Sequence, residues 1–418
     1  MSARRRPVFP IMSRLPTARA PRAILLLLVA IAAVATPLRA AGRPPSILDD
    51  PAFQAEAKKG LDALYDMDFA AAEEVFTRLE LQYPDHPVSP FLRGLLPWWA
   101  IQLEPDDTSQ DEAFLGLMNE VIERCDRRLK ANQDDLDAMF FKSGALAFRG
   151  RLDSDRRRYL KAARDGKQAL DLLREVQKRD PANADLYFGV GLFDYLADVV
   201  PKRYKVLRPF ALFFPRGDRN RGLLELARAI DQGRFVPTET AYSMLQVEYL
   251  FEQSYGEALH YAQWLRRRYP NNSLFHLYEG RCYERLGRVD DASRVFQEIA
   301  ARHQNGQTGY TDSIGEQALY VLARVEMQRG LYSVALAYLE RLEGLTARRP
   351  VDTEYRALGH LRRGMALDAL GRRAEAVRCY REAMAMKGAT DLVEEKAKTF
   401  LKTPYRGEFV PPAMAARR

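Results

Sequence analysis

Small residues recur along this chain at a period that a pair of packed helices explains. Tyr255-Gly-Glu-Ala258, Val289-Asp-Asp-Ala292, Tyr332-Ser-Val-Ala335 and Arg373-Ala-Glu-Ala376 superpose on their alanines, which lie 34, 43 and 41 residues apart. Gly280 and Gly364 supply a second small site upstream of the alanine, and Tyr249 and Tyr283 sit three residues past that site in their own segments. Phe296, Leu339 and Tyr380 follow the alanine by four, with Ala262 in that place earlier, and Pro270 closes one segment where a helix must stop. Two antiparallel helices approach closely only where a small residue sits at the crossing of their axes. The large residue opposite fills the space left between them. One pair leaves its apolar stripe uncovered, so neighbouring pairs must stack.

These segments resemble the tetratricopeptide-repeat family, in which a first spacing of 34 residues is the unit and the longer spacings add loops. The resemblance implies an all-α fold, a tetratricopeptide-type α-solenoid of stacked antiparallel helix pairs in a right-handed superhelix. The amino-terminal half fits with more irregularity. Gly60, Phe69-Ala-Ala-Ala72, Phe76, Leu79 and Pro84 complete one unit; Gly144 with Ala147, Ala169 with Leu173, Val176 and Pro181, and Gly189 with Leu192 mark others. Six or seven helix pairs are expected over residues 50 to 404. The expected organisation is a signal peptide at 1–40, a linker at 41–50, irregular repeats at 51–236, a regular array at 237–404 and a mobile tail at 405–418.

An insertion, Val199 to Asp218, breaks the repeat. Val199-Val-Pro-Lys202, an apolar stretch, then Gly217-Asp-Arg219 leading into Gly222-Leu223 is similar to a subfamily that includes the inclusion-body-clearance protein and its tetratricopeptide-repeat relatives. That likeness runs loosely from Leu64 to about Pro270. It implies a non-catalytic helical protein associated with organelle membranes or lipid handling, and the export signal of this chain departs from it.

The formal charge of +8 on 418 residues invites a nucleic-acid reading, which its distribution removes. Residues 1–40 hold seven arginines and no acid, leaving 57 basic against 56 acidic residues in the remainder. A near-neutral body has no general field for a polyphosphate. The arginines instead precede Ala23 to Ala35, thirteen apolar residues followed by Leu38-Arg39-Ala40, which is the layout of a secretory signal, with Met12 as a second candidate start. Thirteen residues rise about 20 Å against a hydrocarbon core of about 30 Å, which favours cleavage over an uncleaved anchor. The first cysteine is Cys125, so a lipid anchor at the cleavage site is not expected. The expected location is the periplasm, with an extracellular one as the alternative.

No catalytic, cofactor or metal motif is legible. The histidines, His86, His260, His276, His303 and His360, form no paired-ligand spacing, and His276 and His360 share a repeat position that reads as packing. There is no phosphate-binding glycine loop and no GxSxG, and Cys125, Cys282 and Cys379 are isolated on helices, Cys379 as a small hydrophobe beside Tyr380. Asn271-Asn-Ser273 is a glycosylation sequon that reads more simply as a helix cap.

Two surfaces are candidates for a partner. In tetratricopeptide repeats the first helix of each pair lines the concave groove. That resemblance turns Arg281, Arg285, Tyr320 and Arg324 inward. Arg281 and Arg324 hold the same position in adjacent repeats and can clamp an acidic protein or peptide ligand, with Tyr320 as a stacking surface. Their alternative is pairing with Glu284 or Glu326. The second surface is the insertion, where Lys202, Arg203, Tyr204, Lys205 and Arg208 accompany Phe210, Phe213 and Phe214. Basic and aromatic residues together suit a membrane surface or partner; the same rings can plug a groove between helix pairs.

Overall fold

The computed structural model describes residues 46–205, 208–211, 214–349 and 352–407. Residues 1–40, where a signal peptide is expected, Phe213 and most of the tail lie outside them. The described residues are helical, with no strand among them. Two compact units divide between Val325 and Glu326.

The larger unit begins with α1 (Pro51–Tyr65), α2 (Phe69–Gln82), α3 (Val88–Leu103), α4 (Asp111–Ala131), α5 (Leu136–Asp155) and α6 (Tyr159–Arg179). Each packs on the next. Caps set several starts: Asp50, Asp68 and Asp135 accept from backbone amides two or three residues on. Gly60 on α1 shows why the small positions exist, since a methyl there would lie 2.5 Å from the Phe76 ring on α2.

The insertion begins as an extension of helix. α7 (Leu186–Arg203) carries it through Pro201, a short α8 (Arg208–Ala211) follows, and α9 (Arg219–Gln232) returns along α7. A Cβ on Gly222 would sit 2.6 Å from the Gly191 carbonyl oxygen and the Tyr195 amide nitrogen, so α7 and α9 meet backbone to backbone. Glycine at 217 and 222 therefore has a packing reason.

α10 (Pro237–Gln246) starts on Pro237, packs on α9 and ends in a π turn, Val247–Glu252. It also packs on α11 (Tyr255–Arg268). α12 (Ser273–Arg285), α13 (Val289–Gln304) and α14 (Asp312–Gln328) complete the repeats that the alanine spacing predicts. Ala258 and Ala292 are fully buried. Asn272 caps α12, its side-chain oxygen accepting from Leu274 and Phe275 at 3.1 Å, as read from the sequon.

The smaller unit holds α15 (Tyr332–Thr346), α16 (Glu354–Ala369), α17 (Arg373–Ala385) and α18 (Asp391–Lys402). α18 packs on α16 and α17, burying Val393 and Ala397. The tail begins ordered: the Tyr405 amide donates to Asp368 at 3.0 Å and its ring meets Phe400 at 5.5 Å. No described helix is long and apolar enough to cross a membrane.

Candidate functional site

The larger unit folds back on itself. The Tyr269 hydroxyl donates to Asp62 at 2.7 Å, Asn271 donates twice to Asp66 at 2.9 and 2.8 Å, and the Asn272 amide donates to the Tyr65 carbonyl at 2.7 Å. Further along, Ser313 donates its amide to Glu104 at 3.0 Å. Between these two seams lies an aromatic interior. The Trp99 ring stacks on Tyr242 at 5.7 Å and meets Tyr65 and Phe275 edge-on, while Tyr278 bridges Tyr242 to Tyr249. Within this unit the inner ends of α3, α10 and α12 are thus filled with rings and do not face an open groove.

Glu239, in the first turn of α10, sits beside Tyr65 in that interior, partly buried. Loss of water around it pushes its carboxyl up to about 7, against the opposing pull of Arg151 and the Tyr65 hydroxyl. Burial likewise raises the phenols of Tyr65, Tyr242 and Tyr278. Repeat spacing offers no signal for Glu239, because a charged residue in a first helical turn reads as a capping preference.

The arginine candidates come together, each engaged by groups of the same unit. Arg324 on α14 lies 2.6 Å from Glu284 on α12 and 5.8 Å from the Tyr320 ring. Arg281 reaches Gln317 and lies 5.5 Å over Tyr278. Arg285 bonds the Tyr255 hydroxyl and lies 4.7 Å over that ring. Tyr320 is 5% exposed, so its face serves Arg324 and does not stand open for stacking. Two arginines therefore stitch α12 to α14 across the repeat boundary.

At the insertion the basic and aromatic candidates separate. Lys202, Arg203, Lys205 and Arg208 are exposed, and Tyr204 is partly buried. Phe214 packs on Phe193 at 5.6 Å. Phe210 lies on α8, and its side chain, like Phe213, falls outside the described atoms. Arg203 donates to the Phe251 carbonyl at 3.0 Å and lies 5.8 Å over that ring, tying the end of α7 to the π turn. Glu252 of the same turn accepts from the Tyr195 hydroxyl at 2.6 Å and from Arg219, and that guanidinium holds its carboxyl below the usual range.

The shared histidine position differs sharply between repeats. His276, 1% exposed, bonds the Tyr310 hydroxyl at 2.9 Å, and burial with Arg266 and Arg302 nearby lowers its imidazole to about 2. His360 sits among Glu343, Cys379 and Glu382, and its imidazole rises to about 9, burial being outweighed by hydrogen bonds to Cys379 and Glu343 and by both carboxylates.

Residues 244–307, from the end of α10 past α13, match the family described as tetratricopeptide repeat. This chain carries tetratricopeptide repeats. No curated protein matches it. Among solved structures, it is similar to a tetratricopeptide repeat protein from Parabacteroides merdae ATCC 43184 at 13% identity, covering 82% of this chain and 97% of that one, with a TM-score of 0.29. It is also similar to Rap protein complexed with Competence and Sporulation Factor, at 16% identity over 84% and 92% of the two chains and a TM-score of 0.43. Yeast Tom70 follows at 14% identity, 85% and 89% coverage and a TM-score of 0.36. None superposes closely enough to serve as a template. Tetratricopeptide repeats as a class present extended surfaces to protein and peptide partners.

Proposed function

We propose that this chain is an exported, non-catalytic tetratricopeptide-repeat scaffold that holds a protein or peptide partner in the cell envelope. The observation that carries this reading is the row of Arg281, Arg285 and Arg324 on α12 and α14, each seated over a tyrosine ring. Guanidinium groups seated over rings present a planar fork of donors suited to carboxylates. An acidic segment would compete with Glu284 for Arg324. Export rests on the amino-terminal sequence alone.

Crosslinking and affinity capture in the native host test it, comparing wild type with an Arg281→Ala/Arg324→Ala double variant. A partner held by wild type and lost by the folded double variant is expected. Equal capture by both discards the arginine row. The four exposed basic side chains at 202, 203, 205 and 208 favour a second reading, a membrane-surface or lipid-handling role. Flotation of residues 41–418 with anionic and neutral vesicles decides it; no binding to either ends that reading.

A further inference from the structure

The repeat register makes an internal comparison around the two histidines. His276 and His360 each precede their repeat alanine, Ala292 and Ala376, by sixteen residues. Arg266, eight residues after Ala258, corresponds to Glu343, eight after Ala335; Val295 corresponds to Cys379, and Glu298 to Glu382. These four positions thus carry arginine, histidine, valine and glutamate in the earlier repeat. In the last repeat they carry glutamate, histidine, cysteine and glutamate. The earlier set packs a neutral imidazole. The later set replaces a cation and an aliphatic group with a carboxylate and a thiol.

Three of these groups converge. One ligand atom each from His360, Cys379 and Glu382 lie within 4.8 Å of one another. Cys379 and Glu382 project from one face of α17, three residues apart, towards His360 on α16. His360 Nδ1 lies 3.0 Å from a Glu382 oxygen, and its Nε2 lies 2.5 Å from a Glu343 oxygen on α15. His360 and Cys379 are buried, whereas the Glu382 side chain is 53% exposed and reaches the site from solvent. All four residues belong to the smaller unit.

We propose that His360, Cys379 and Glu382 bind a divalent transition-metal ion, Zn2+ by the chemistry of its ligands. Thiolate, imidazole and carboxylate form a mixed borderline-soft set, and three protein ligands leave a fourth position for water at the exposed Glu382 side. Glu343 is a positioning residue. It faces the imidazole nitrogen away from the metal, fixing ring orientation and raising ligand basicity as a carboxylate behind a metal-bound histidine does. Binding displaces the thiol proton of Cys379 and one imidazole proton of His360, both released to solvent. The bonds formed are metal–sulfur, metal–nitrogen and metal–oxygen, with no change of oxidation state.

Co2+ added to the purified metal-free chain is the probe, because its absorption reports both thiolate ligation and tetrahedral geometry. The expected result is one equivalent bound, with a thiolate-to-cobalt charge-transfer band that Zn2+ abolishes by displacement. Cys379→Ser should lose the band. Glu382→Gln should weaken binding, and its exposed position keeps the test decisive should Cys379→Ser fail to fold. Glu343→Gln should keep the stoichiometry and the band but weaken affinity about 10–100-fold. A purely structural role for Glu343 would leave affinity unchanged in the folded variant. No stoichiometric binding, binding without the charge-transfer band, or equal binding by wild type and folded Cys379→Ser overturns the proposal.

Discussion

His276 ties the stability of the larger unit to pH. Its ring is buried on α12, bonded to Tyr310, with Glu298 at 3.5 Å and the Arg266 and Arg302 guanidinium groups nearby. In the unfolded chain the same imidazole titrates near its ordinary value of about 6.5. Because the folded value is the lower one, the unfolded state takes up a proton below that pH and the folded state does not. Stability is therefore present in full above about pH 6.5 and falls as the pH drops towards the folded value. At 1.36 kcal/mol per unit, two pH units of that window cost roughly 3 kcal/mol. Urea unfolding of wild type and His276→Gln at a series of pH values checks this. The variant should lose a share of the acid slope of that order; parallel slopes would refute the burial argument. The shared repeat position of the two histidines was legible from their register. The opposite charge around them was not singled out, because it depends on residues from the helices on either side, read together.

The contacts between paired helices were the most legible part of the fold. Gly280 and Gly364 face Phe296 and Tyr380, the partners that the repeat alignment assigns them, with a methyl at Gly364 only 2.5 Å from the Tyr380 ring. Such contacts join neighbours in sequence, so their spacing survives as periodicity. The α7–α9 pair obeys the same physics more tightly, since the two nearest atoms facing Gly222 are backbone and cannot swing aside. Gly222→Ala should therefore separate the two helices and destabilise the unit by about 1–3 kcal/mol. Gly116 on α4 has no neighbour within 4 Å of an added Cβ. There the same change only restores helix propensity and should stabilise by about 1 kcal/mol. Denaturation midpoints of the two variants should move in opposite directions; a neutral Gly222→Ala would mean that the helices part without cost. The insertion was half legible. Its glycines were noticed, while the run of α7 through Pro201 was hidden by a residue that usually stops a helix.

Whole-unit closure was beyond sequence reading for a plain reason: Asp62 and Tyr269 are 207 residues apart, and no repeat period links them. An aspartate at the end of α1 looks like any solvated residue. Its role appears only when Asn271, Asn272 and Tyr269 arrive at the same place. These polar contacts lie at the edge of the aromatic interior, where Trp99 and Phe275 are almost wholly buried. Losing them would not remove the ring contacts, but it would leave those contacts to hold the seam alone. An Asp62→Ala/Asp66→Ala double variant removes the carboxylates that accept from Tyr269 and Asn271. Hydrogen bonds to charged acceptors at a partly exposed seam are together worth on the order of 2 kcal/mol. The variant should stay folded and lose amide-exchange protection locally, at residues 62–66 and 269–275, before the rest of α12 and α13. Unchanged protection at both segments would show that the rings alone close the unit. Uniform loss along all its helices would show that the seam supports the stack as a whole. Local loss alone would identify the end of α1 and the start of α12 as the place where this repeat array opens.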